Sequence, residues 1–159
     1  MCYRRIQQIN LAPNTDSFDR QILDLVNQER AKVGVDPLKI NEQLDRAADI
    51  HSQDQANMDR LTHRGSDGSS EDDRVGKSGY LFSLTAENIA PIALDAETVM
   101  YGGEGFEGIT LEPGWMGSED HRNNILDSNF EDLGVGYSTS VDGSPYWTLS
   151  FGDPADSAI

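Results

Sequence analysis

The run Leu133-Gly134-Val135-Gly136-Tyr137-Ser138-Thr139-Ser140, then Asp142-Gly143, then Tyr146-Trp147-Thr148-Leu149-Ser150-Phe151, reads as a β-hairpin. Asp-Gly is a two-residue turn signal, because glycine and aspartate tolerate the left-handed backbone a tight hairpin needs. In the second strand Trp147, Leu149 and Phe151 alternate with Tyr146, Thr148 and Ser150, so its two faces differ in polarity. The sequence before this hairpin is mainly helical. Phe18, Ile22, Leu25 and Val26 recur at helical spacing, between cap candidates Asp16 or Ser17 and a stop at Gly34 and Pro37. A second helix spans 41–58, with Leu44, Ala47, Ala48, His51 and Met58 on one face. Residues 65–79 read as a polar loop, 86–93 as a short strand and 95–100 as a third helix. A fourth helix spans 118–126, with Ser118 as its N-cap and Glu119 and Asp120 in the first turn, where the helix dipole favours anions. Helices first and a hairpin last give an α+β domain over 17–153, with an irregular lead at 1–16 and a polar tail at 154–159.

Composition narrows the function. The 159 residues hold 28 Asp and Glu against 12 Lys and Arg, a formal net charge of -16. Such a surface repels phosphate backbones and anionic headgroups, which argues against a nucleic-acid partner. No stretch is long enough for a membrane span, and residues 1–10 carry basic residues with no apolar core after them, unlike a secretory signal. The single cysteine, Cys2, allows no intrachain disulfide and has no histidine beside it to activate it. The acidic run Asp67-Gly68-Ser69-Ser70-Glu71-Asp72-Asp73 lacks the spacing of a calcium loop and reads as solvated loop.

Three histidines carry the candidate chemistry. His51 lies on the apolar stripe of the second helix and reads as a packed histidine with one hydrogen bond. His63 follows that helix, and His121 sits in the first turn of the fourth. Two imidazoles with carboxylates are suitable ligands for zinc or a similar divalent ion, yet no close-spaced pair such as His-Glu-x-x-His is present. Ser118 and Asp120 beside His121 raise a nucleophilic triad, but without a Gly-x-Ser-x-Gly elbow Ser118 reads as a helix cap.

Five segments, in order, resemble the CAP superfamily (the cysteine-rich secretory, antigen 5 and pathogenesis-related-1 group), especially its compact bacterial members. They are Val26-Asn27-Gln28-Glu29-Arg30 through Pro37-Leu38; residues 47–63, ending Leu61-Thr62-His63; Ala86-Glu87-Asn88-Ile89-Ala90; Trp115 to Leu126, followed by Phe130 to Tyr137; and Tyr146 to Gly152. The resemblance implies a three-layer α-β-α sandwich with a central antiparallel sheet. It also implies a cleft lined by His63, His121 and Glu87. Ser118 stands where plant and animal members carry a second glutamate, and Glu119 is the candidate for that place. Residues 101–113 look like an insertion, expected at the cleft rim.

That cleft admits three readings. A non-catalytic binding module would hold a divalent metal, zinc foremost, on His63 and His121, with Glu87 and Glu119 orienting the histidines or a water. A metal-dependent hydrolase would use Glu87 or Glu119 as the base toward a metal-bound water, with peptides as the substrate the resemblance suggests. A structural or lipid-binding domain would leave the cleft metal-free. The partner expected is a small molecule, lipid or protein ligand, the chain is expected to be a monomer, and the resemblance implies an extracellular setting.

Overall fold

A computed structural model describes residues 15–156, with side chains from Ser17 onward. Cys2 and residues 1–14 of the lead, and residues 157–159 of the tail, lie outside the described residues. In chain order the elements are α1 (Thr15–Lys32), β1 (Lys39–Ile40), α2 (Glu42–Met58), α3 (Glu71–Lys77), β2 (Phe82–Pro91), α4 (Ala96–Tyr101), β3 (Gly103–Glu104), β4 (Thr110–Leu111), α5 (Glu119–Leu126), β5 (Asp132–Thr139) and β6 (Pro145–Pro154).

Helix α1 starts at Thr15, so Asp16 and Ser17, expected as caps, fall inside it. Its stripe buries Ile22 and Val26 completely and sets Phe18 against Tyr137 and Trp147, ring centroids 4.9 Å apart in both pairs. It stops where Gly34 takes φ 73° and the Val35 N–H reaches back to the Arg30 carbonyl. Arg30, fully buried, donates to the carbonyls of Asp36, Ile125, Asp127 and Phe130 and so ties α1 to the chain entering β5. Asn41 caps helix α2, its side chain accepting from the N–H groups of Gln43 and Leu44. Ser118 occupies the N-cap position of α5 but makes no side-chain cap bond.

The sheet runs β1-β5-β6-β2. β5, β6 and β2 form the antiparallel sheet expected; β1 adds a two-residue parallel pairing with β5. Asn27 secures that addition by clasping the Leu38 backbone through its side-chain amide and oxygen, at 3.0 and 2.8 Å.

Alternation along the strands places Leu133, Val135, Trp147, Leu149 and Phe151 in the apolar core with α1, α4 and α5. The opposite face carries Gly134, Gly136, Thr148 and Ser150. Pattern alone would leave that face to solvent, yet α2 covers it. The two glycines let the α2 backbone sit directly on β5, and Ser52 and Gln55 of α2 bond the Thr148 hydroxyl at 2.8 and 3.2 Å. Helix α2 also guards the outer edge of β5. Asp45 accepts the Val135 N–H (2.9 Å) and Asp49 the Tyr137 N–H. Carboxylates four apart on a helix are spaced at about 6 Å, close to the advance of two strand residues, so one helix face caps alternate edge amides.

The polar loop expected over 65–79 contains α3. Ser70 caps it and Asp73 returns a bond to the Ser70 N–H, a capping box that the acidic run conceals. Strand β2 begins four residues before the sequence indicated. The insertion at 101–113 folds as the β3–β4 ribbon; Gly105 and Phe106 lie against Ile92, and Phe106 lies beside Gly143 of the β5–β6 turn. Among the described residues no helix is long and apolar enough to cross a membrane.

Candidate functional site

After α2, Asp59 adopts a left-handed conformation (φ 47°) and the chain turns back along the helix. The Gln55 side-chain oxygen accepts the Thr62 N–H, and His51 Nε2 donates to the Thr62 carbonyl at 2.7 Å. A carbonyl only accepts, so the His51 proton is assigned to Nε2. His51 is fully buried, and burial holds its pKa below the ordinary histidine value. This is the packed histidine expected, and its Nδ1 has no partner.

With residues 60–62 stitched to α2, His63 meets β2. Its Nδ1 lies 2.9 Å from Glu87 Oε1, and Glu87 Oε2 accepts from Arg74 at 2.6 Å. Arg74 also donates to the carbonyls of His63 and Ser69. The Glu87 side chain is 2% exposed, against 61% for His63. The hydrogen bond that His63 donates to Glu87, opposed by partial burial, raises the His63 pKa. Since the carboxylate takes Nδ1–H, the lone pair of neutral His63 sits on Nε2, the atom left free.

His121 comes from the other side of β2. Adjacent strand residues point to opposite faces, so Asn88 faces α5 while Glu87 faces α2. Asn88 donates to the His121 carbonyl at 3.0 Å and accepts from Asn124 at 2.9 Å, which fixes the first turn of α5 against the strand. Burial, and then the charge of His63, lower the His121 pKa. The imidazoles thus stand near enough across the β2 edge for protonation of one to disfavour protonation of the other. Glu119 is exposed and is not hydrogen-bonded to His63, Glu87 or His121. The insertion likewise makes no hydrogen bond to these three residues.

Sequence reasoning missed Glu71 and Arg74. Glu71, the first residue of α3, has one carboxylate oxygen buried without a partner. Burial foremost, and then the charge of Glu87, push its pKa up to about 7. The capping box Ser70-x-x-Asp73 was the available signal for a helix that would turn Glu71 inward. A group whose folded pKa is raised favours folding fully below its unfolded pKa and loses that advantage as pH rises through the folded value. The window for Glu71 is therefore from about pH 4.5 to about pH 7. Glu71→Gln should stabilise the protein by roughly 1–3 kcal/mol above pH 7 and leave it unchanged below pH 4.5. Thermal unfolding of both proteins across that range checks this; equal midpoints at pH 8 would refute the buried, charge-penalised placement.

Among the described residues, no three His, Cys, Asp or Glu side chains converge as a metal-holding group. The donor set is two imidazoles, with carboxylates behind one of them. A groove of about 840 Å³ runs along the outer face of α2 past Ile50, Gln53 and Asn57, but neither histidine lines it.

The family model for CAP, the cysteine-rich secretory protein family, matches residues 23–151. The chain is 33% identical over 141 residues to uncharacterized protein YkwD of Bacillus subtilis, covering 88% of this chain and 49% of that protein. It is 29% identical to the uncharacterized membrane protein YlbC of the same organism, covering 84% of this chain and 34% of that one. The chain therefore spans half or less of the length of these curated relatives. Among solved structures, an extracellular protein containing an SCP domain from Bacillus anthracis matches with TM-score 0.69 and 28% identity, over 89% of this chain and 44% of that one. An outer surface protein of Borrelia burgdorferi matches with TM-score 0.73 over 89% of this chain and 96% of that one; at 18% identity this likeness concerns the fold alone.

Proposed function

The chain belongs to the CAP family of cysteine-rich secretory proteins, and on that footing we propose that it is a non-catalytic binding module whose cleft takes a divalent metal ion, zinc foremost, on His63 and His121. The observation that carries this reading is the 2.9 Å bond from His63 Nδ1–H to Glu87 Oε1, with Glu87 itself held by Arg74. A carboxylate behind an imidazole fixes the ring and its tautomer and raises its basicity as a ligand. With two protein ligands, the remaining positions fall to water or to an external ligand, which suits a module that captures a partner. An extracellular setting is part of the same proposal, in keeping with the Bacillus anthracis protein.

Affinity should fall as pH drops through the histidine range, because a protonated imidazole cannot ligate. His63, whose pKa is raised, loses ligating ability at the higher pH of the two. Calorimetric titration of chelator-treated protein with zinc should show saturable binding at pH 7.5, weakened at least tenfold by His63→Ala or His121→Ala and abolished by both. No heat with the wild type, or equal heat with the double variant, would end the proposal.

A metal-dependent peptidase is the second reading, favoured by Glu71. Glu87 is engaged by His63 and Arg74, whereas Glu71 exchanges its proton near neutrality beside them. Turnover of peptide substrates that is lost with chelator and reduced by Glu71→Gln would select it.

A further inference from the structure

The two long edges of the sheet are treated differently. On the β5 side, Asp45 and Asp49 cap the Val135 and Tyr137 amides. β2 is the last strand on the other side. The direction of its main-chain groups follows from the bonds around it. Ile92 N–H bonds Pro145 on the β6 side, whereas the Ile89 carbonyl points away from β6 and takes the Trp115 indole N–H at 3.1 Å. Because strand residues alternate, Thr85 and Glu87 also direct their N–H and C=O away from the sheet, and the register is unbroken from Leu84 to Pro91. Among the described residues no strand pairs with them on that side. Glu87 as a whole is 7% exposed although its side chain is only 2% exposed, so what it presents to solvent is mainly backbone.

This open stretch lies between the two histidines, with His63 and α3 forming one wall and α5 with His121 the other. The walls carry exposed carboxylates, Asp72 and Asp73 on α3 and Glu119 and Asp120 on α5. The net charge of -16 opposes pairing of this edge with a second copy of the same chain.

We propose that the edge of β2 at Thr85 and Glu87 is a docking slot for an extended peptide bearing lysine or arginine, which adds as a fifth strand between His63 and His121. Main-chain bonds at two alternate residues supply register and affinity, and the acidic walls select basic side chains. Trp115 closes the slot at Ile89, which limits it to a short segment. The pairing uses main-chain atoms and needs no metal; a strand between the two histidines excludes an ion shared by them, so peptide and metal are alternative occupants and the peptide is tested with metal removed.

The test uses fluorescently labelled eight-residue peptides in buffer with chelator, read by anisotropy: alternating Lys-Val, alternating Glu-Val, and Lys-Val N-methylated at alternate residues. The Lys-Val peptide should bind saturably, the methylated peptide about tenfold or more weakly, and the Glu-Val peptide not measurably. Thr85→Pro removes an outward donor and no ladder bond, so it should weaken the Lys-Val peptide by about tenfold. It also removes the hydroxyl bond to Asp72, and Thr85→Val is the control for that loss. Saturation should slow hydrogen exchange at the Thr85 and Glu87 amides at least tenfold. The proposal is overturned by absence of binding up to millimolar peptide, by equal binding of the methylated or acidic peptide, or by unchanged exchange at those amides. A concentration-dependent dimer lost in Thr85→Pro would overturn it in favour of a second copy.

Discussion

Glu87→Ala is expected to lower stability by about 3–5 kcal/mol and to release His63 from its position. The magnitude follows from what is left behind. Arg74 is 7% exposed, and its guanidinium would keep the carbonyls of Ser69 and His63 but lose the carboxylate it pairs with at 2.6 Å. Removing one member of a buried pair leaves an uncompensated charge, which costs far more than the pair contributes when intact. The double variant Glu87→Gln with Arg74→Met removes both charges, so it should recover a large part of the loss. His63 reports on the same change independently. Its raised pKa is due first to Glu87, so in Glu87→Gln its proton should be lost at lower pH. The stability that this raised pKa lends the wild type is present below the ordinary histidine value and disappears as pH rises through the folded one. Urea unfolding and NMR titration of His63 together check the prediction. A loss under about 1 kcal/mol with His63 titrating unchanged would show that the cluster is not coupled.

Much of the fold was legible because helix spacing and turns leave local marks. The stripe from Phe18 to Val26 and the Asp142-Gly143 turn each specify structure within a few residues, whereas the caps expected at Asp16 or Ser17 fall inside α1 and Ser118 makes no cap bond. What escaped depends on distant partners. The face of the sheet under α2 is glycine, threonine and serine, and only tertiary packing reveals that it is buried. Asp45 and Asp49 look like solvated helix positions until the amides of β5 are set beside them. The candidate site residues came from family motifs, since no local spacing joins His63 to His121; the unifying element is β2, whose neighbouring Glu87 and Asn88 reach to opposite faces. Glu71 was hidden by its acidic neighbours. Ser70, Asp72 and Asp73 behave as their composition suggests, while Glu71 turns inward at the start of α3, and charge patterning cannot tell one carboxylate in a run from the next.

Gly136→Ala is expected to destabilise the protein by about 3 kcal/mol or more, because a methyl group there runs into the backbone of α2. A Cβ at position 136 would stand 2.3 Å from the Ala48 carbonyl carbon and oxygen and 2.6 Å from the Asp49 nitrogen. Those are backbone atoms in the middle of α2, so no side chain can turn aside and the helix itself must lift. Lifting it strains the Asp49 bond to the Tyr137 amide and the Ser52 bond to Thr148. It also draws away His51 and Gln55, which hold residue 62 and thereby set His63 against Glu87. On the proposed metal-binding reading the variant should therefore lose zinc affinity as well as stability, although residue 136 makes no contact with His63, Glu87 or His121. Gly76→Ala provides the contrast. It is helical, a Cβ there meets nothing within 4 Å, and the change should be neutral or stabilising by about 0.5–1 kcal/mol. Chemical unfolding of both variants with zinc titration decides the matter. Equal stability of the two would mean that α2 is not seated on β5 through its backbone.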